Sequence, residues 1–171
     1  TDVVTLGGNG ATVSVSDVAT VLGSTGTDTL TMGSAAVAVS AIESVVGTTG
    51  STDVLTLLGS GGVAVSDVDS IVGGSGPVEI VTVVGTGAAL SVANINTVVG
   101  STDTTDVITL AASGALAVSG VESVIGTGAT GDVLSLLGNG ATLEVSDIAT
   151  VSGSTGADQV TMGTATLAVS A

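Results

Sequence analysis

The sequence contains no lysine, arginine, histidine, cysteine, phenylalanine, tyrosine or tryptophan. Each absence removes a class of function. Without cationic side chains the chain cannot neutralise phosphates, which argues against a nucleic-acid partner. A polybasic attachment to anionic lipid is excluded on the same ground. Without His, Cys, Lys, Arg or Tyr, acid–base catalysis is left with carboxylates alone. The chain is therefore expected not to be an enzyme, with no catalytic residues and no cofactor. Gly, Ser, Thr or Asp interrupts every apolar run before it reaches membrane-spanning length. A transmembrane barrel would want aromatic girdles, and there are none. There is no initiator Met and no signal peptide, and the 171 residues begin and end inside a motif. They are expected to be a fragment of a longer chain.

What is present is mostly Val, Leu, Ile and Ala, with 27 Gly, a formal charge of −15 and a mean hydropathy of +0.81. Such a chain can bury a core built from small branched side chains. Its uncompensated charge keeps particles apart and attracts cations.

Repeats settle most of the architecture. A first phrase, acid–x–apolar–Thr–apolar, recurs seven times: DVVTL (2–6), DTLTM (28–32), DVLTL (53–57), EIVTV (79–83), DVITL (106–110), DVLSL (132–136) and DQVTM (158–162). Successive copies lie 25 to 27 residues apart. A second phrase follows each, as in VAVS (37–40, 63–66) and LAVS (116–119, 167–170), and a third closes six units, as in AIESVVG and GVESVIG. Residues 1–41 and 131–171 are identical at 27 of 41 positions, which marks a longer period of 130 residues, or five units.

Apolar residues alternate with Thr, Ser or Ala in the first two phrases, the period of a strand with one buried face. Gly-rich breaks supply corners. One unit buries too few side chains to offset the entropy of ordering it, so units must stack. The expected fold is all-β: a single parallel β-solenoid segment over residues 1–171, with about 26 residues and three short strands per coil. Coils would start near 1, 27, 52, 78, 105, 131 and 157, giving about six and a half coils and a five-coil super-repeat of 130 residues. Right-handed winding is expected of parallel crossovers. In the third phrase Val18 and Val21 are three apart, and strict alternation cannot bury both. Either a bulge or corner intervenes, or the series Val21, Val45, Ile71, Val98, Val124, Val151 faces outward as an apolar stripe.

If units stacked one per coil, two columns would carry chemistry. Asp2, Asp28, Asp53, Glu79, Asp106, Asp132 and Asp158 would form a column of carboxylates. Two readings fit it: a calcium site, since hard cations want several oxygens, or turn residues that accept backbone N–H groups. Thr5, Thr31, Thr56, Thr82, Thr109, Ser135 and Thr161 would form a second column, either an ice-ordering array or ordinary exposed strand residues. GTGATG at 126–131 matches a dinucleotide-binding glycine pattern but leads into a strand phrase, so it reads as a turn. Asp67 and Asp69 read as solvated charges at a corner and not as a glycosidase pair.

VSAIESVVG (39–47), VSGVESVIG (118–126) and GSTGTDTLTMG (23–33) resemble repeats of very long bacterial surface proteins: β-strand-rich adhesins and surface-layer-like proteins, often exported by type I secretion. The resemblance implies an extracellular or cell-surface structural β-solenoid without enzymatic activity. The glycine-rich calcium nonapeptides found in parts of that family are missing here. The chain is thus expected to serve as a segment of a filament, adhesin stalk or surface layer. Its partners would be copies of itself or flanking coils, end to end and laterally, with no nucleic acid and no membrane insertion. The alternative is a calcium- or surface-binding solenoid module, ice included.

Overall fold

In the computed structural model the described residues are 2–33, 36–50 and 52–163, with the backbone of 168–170. All regular structure in them is strand. The strands are β1 (Val3–Thr5), β2 (Thr12–Val15), β3 (Thr20–Leu22), β4 (Thr29–Met32) and β5 (Ala36–Ser40). There follow β6 (Ser44–Val46), β7 (Val54–Leu57), β8 (Gly61–Ser66), β9 (Ser70–Val72) and β10 (Glu79–Val83). Next come β11 (Ala89–Ala93), β12 (Thr97–Val99), β13 (Val107–Leu110), β14 (Ala115–Ser119) and β15 (Ser123–Ile125). The last are β16 (Val133–Leu136), β17 (Thr142–Ser146), β18 (Thr150–Ser152), β19 (Gln159–Met162) and β20 (Ala168–Ser170). Each strand is one of the three phrases, so Val, Ile and Leu at period two do form strands, with Gly, Ser and Asp between them. The second phrase of the last unit runs over Leu167 and β20, and its side chains lie outside the described residues.

Odd-numbered strands make one ten-stranded sheet and even-numbered strands the other, in simple order. Neighbours pair in parallel. The chain therefore crosses from sheet to sheet at every corner, and a coil holds two strands. This confirms the parallel β-solenoid and corrects its cross-section: a coil has about 18 residues and not 26, and there are about 9 turns and not six and a half. Val4 pairs with Val21, 17 residues on, and Val21 with Val39, 18 residues on. A 26-residue unit with three strands thus spans one and a half coils. Ten strands at a spacing of about 4.8 Å make the rod roughly 43 Å long.

The core lies between the sheets, filled from both sides by Val, Leu and Ile. Inward residues stack in ladders of mixed phrase. Val37, Leu55, Ile71, Val92 and Leu110 rise through one sheet, and Val63, Val81, Val98, Val118 and Leu136 through the other. Any phrase stacks on any other because each presents aliphatic side chains of similar size. The third phrase faces inward: Val21, Val45, Ile71, Val98, Val124 and Val151 are all 0 % exposed. A corner achieves this. The first residue of each third phrase takes a left-handed conformation, at Asp17, Ala41, Asp67, Asn94, Gly120 and Asp147, with φ between 52° and 63°. That turn lets both Ile42 and Val45 point into the core. There is no outward apolar stripe at this position.

Candidate functional site

Three corner types alternate along each edge of the solenoid, because each unit spans one and a half coils. The first joins first to second phrase (such as 84–88), the second is a tight turn at the start of the third phrase (67–69, 94–96, 120–122), and the third leads back to the next acid (47–53, 100–106). The seven acids consequently do not form one column. Asp2, Asp53, Asp106 and Asp158 precede strands of one sheet, and Asp28, Glu79 and Asp132 precede or open strands of the other. Within an edge they are three coils apart, roughly 14 Å. The Thr series divides likewise. Thr5, Thr56, Thr109 and Thr161 lie on one sheet, and Thr31, Thr82 and Ser135 on the opposite one. The outward ladder through Thr82 reads Thr12, Thr29, Ser44, Ala64, Thr82, Val99, Ser119, which is not a threonine lattice.

Asp28, Asp53, Asp106 and Asp132 are buried, Asp158 is half-buried and Asp2 is exposed. Asp106 displays the shared geometry. Its Oδ2 accepts the Ser101 N–H at 2.6 Å and the Ser101 hydroxyl at 2.9 Å. Its Oδ1 accepts the Ala88 N–H at 2.9 Å from the preceding coil. Its own N–H donates to Glu122 Oε2 at 2.9 Å in the following coil. One acid residue thus fastens three coils. Asp28 accepts from Ser24 and from the Ala11 N–H at 2.6 Å, and its N–H donates to Glu43 Oε2 at 2.7 Å. Asp132 accepts from Thr127 and Gly114, and Asp158 from Ser154 and Ala141. These bonds favour the charged form. The Ser24 N–H, more than any other group, holds Asp28 below its ordinary value, with the Ala11 N–H and the Ser24 hydroxyl adding to it against burial. For Asp132 burial pushes upward, but the Thr127 hydroxyl and N–H, with Ser113 and Gly114, outweigh it and bring the value down. The Ser154 hydroxyl leads in lowering Asp158, followed by the Ala141 and Ser154 N–H groups.

The turn reading therefore describes these four acids. Sequence inspection missed their donors, although a signal was present. A Gly-Ser or Gly-Thr pair stands four or five residues before the Asp in five units: Ser24, Thr48, Ser101, Thr127 and Ser154. The glycine matters where the following coil packs against it. A Cβ on Gly126 would overlap the Asp147 carbonyl oxygen.

Glu79 is the exception. Its corner has Gly74 where the others have Ser or Thr. The Gly61 N–H, from the preceding coil, is taken by the Val78 carbonyl at 2.9 Å. Glu79 is 2 % exposed, and its Oε1 has no hydrogen-bond partner among the described residues.

Grooves lie over the tight turns, where a short corner sits between longer ones. One of about 560 Å³ is walled by exposed Asp67 and Asp69 with Thr48 and Thr86. Asp69 is already engaged there, accepting the Asp53 N–H at 2.7 Å. GTGATG at 126–131 is one of the corners. No group of three or more acids gathers at one point among the described residues. Comparison with known proteins finds no matching family model, curated relative or solved structure.

Proposed function

We propose that the chain is a structural segment of an extracellular β-solenoid filament, adhesin stalk or surface layer, without catalytic activity. The observation that carries this reading is the pair of uninterrupted ten-stranded sheets. β1 and β2 pair on one side only, as do β19 and β20, so each end offers two strands to further coils. A copy stacked end to end would continue both sheets there. Open parallel edges are templates for addition. The charge of −15 opposes side-by-side clumping while leaving the axial direction to hydrogen bonds and aliphatic contact. Placement outside the cell rests on the resemblance to bacterial surface repeats.

Electron microscopy and fibre diffraction test the proposal. Rods that lengthen with concentration and diffract near 4.8 Å along their axis support it. Particles of one short length at every concentration count against end-to-end stacking.

A further inference from the structure

We propose that the corner at Glu79 is a binding site for a single hard divalent cation, calcium. Three departures from the other acid corners coincide there. The hydroxyl donor is replaced by Gly74, Asp is lengthened to Glu79, and the inter-coil N–H of Gly61 is committed elsewhere. Each removes a partner, and together they leave a buried carboxylate oxygen without one. The chain has no Lys, Arg or His to supply the missing charge. Burying an uncompensated carboxylate is unfavourable, and a bound cation removes that penalty.

The surroundings suit such an ion. Buried Glu79 borders an open groove of about 330 Å³ that exposed Ser75, Asn94, Asn96 and Ser113 also line. All four are neutral oxygen carriers, the ligands that calcium combines with a carboxylate and water. Asn96 Oδ1 accepts the Glu79 N–H at 2.7 Å, which fixes the amide against the same corner. A volume of this size admits an ion with several waters, each needing roughly 30 Å³. The chain's net negative charge concentrates divalent cations around it.

Two other places lack this combination. Asp67 and Asp69 are exposed carboxylates, so neither offers a buried oxygen without a partner. Asp53 Oδ1 also has no partner among the described residues, but Oδ2 accepts twice from Thr48. The position that supplies the inter-coil donor elsewhere is here Ala35, outside the described residues.

The test is calcium titration calorimetry, with europium luminescence by direct excitation because the chain has no aromatic residue to sensitise it. The expected result is one ion per chain, with a dissociation constant of about 10⁻⁴–10⁻³ M, as for weakly charged sites. Glu79→Gln should abolish binding while retaining the strand signal in circular dichroism. Asn94→Gly keeps the left-handed turn and removes one oxygen, so it should weaken binding about tenfold. The Asp67→Asn/Asp69→Asn double variant should bind like the wild type. The proposal is overturned by absence of saturable binding at about 10 mM calcium. It is equally overturned by unchanged binding in folded Glu79→Gln and Asn94→Gly, or by loss of binding in the double variant.

Discussion

Replacing Gly47 by alanine tests how closely the coils approach. Gly47 closes a third phrase, and its N–H donates to the Ser66 carbonyl at 2.8 Å in the following coil. Asp67, with φ 52°, turns its own carbonyl toward Gly47. An added Cβ would overlap that oxygen and lie 2.7 Å from the Asp67 carbonyl carbon and from Asp53 Oδ2. The obstacle is backbone, so no rotamer change relieves it. The following coil must rise locally, and the 2.8 Å bond is the first to lengthen. Losing it costs about 0.5–1.5 kcal/mol, and overpacking a close contact costs about 1–3 kcal/mol. The sum is about 1.5–4.5 kcal/mol. Gly7→Ala is the matched control, since nothing lies within 4 Å of its Cβ position and its φ is not left-handed. It should change stability by less than about 0.5 kcal/mol. Urea unfolding followed by far-ultraviolet circular dichroism reads both. A Gly47→Ala variant as stable as the wild type would refute the coil-contact reasoning, as would a Gly7→Ala variant equally weakened.

Asp106→Ala should cost about 3 kcal/mol, because the N–H groups of Ala88 and Ser101 and the Ser101 hydroxyl lose their acceptor; a midpoint equal to the wild type in urea would contradict this. Ala41→Gly should stabilise by about 0.5–1 kcal/mol, since Ala41 sits at φ 53°, and Gly120→Ala should lose about as much; melting temperatures moving the other way would rule out the strain. Acid should destabilise the fold within a defined window. Asp28, Asp132 and Asp158 bind protons more weakly folded than unfolded. Their contribution is complete above the unfolded carboxylate value of about 3.9 and declines as pH falls through their lower folded values. Melting curves that hold steady down to about pH 4 and then fall agree with this; a melting temperature that rises below that point does not.

The strands were legible because Leu55 and Leu57, or Val63 and Val65, flank a small residue, and period two allows one interpretation. The coil was not legible. Phrases that look alike are chemically equivalent without being stacked, and Leu55 pairs with Val37 and Ile71, from two other phrases. Stacking requires aliphatic residues of matching size, and all three phrases supply them. The narrow two-sheet cross-section follows from side chains no larger than Leu, Ile or Met facing one another across sheets about 10 Å apart. The acid corners were half legible. Asp at a turn was anticipated, but its donors come from a hydroxyl in its own corner and an amide in the preceding coil. The second depends on the coil length that the repeat concealed.

One and a half coils per unit makes the count of units a matter of parity. Removing one unit from the middle would leave the rod the same width but would exchange the two faces for everything beyond the join. Removing two would restore them. The 130-residue echo contains an odd number of units, five, so β1 and its counterpart β16 lie in opposite sheets. A ligand or neighbour that recognises a first phrase on one face therefore meets it again after two units, while an identical set faces the other way. Such a rod presents first phrases to both sides, so neither side is preferred, and a change in length by a single unit leaves first phrases on both.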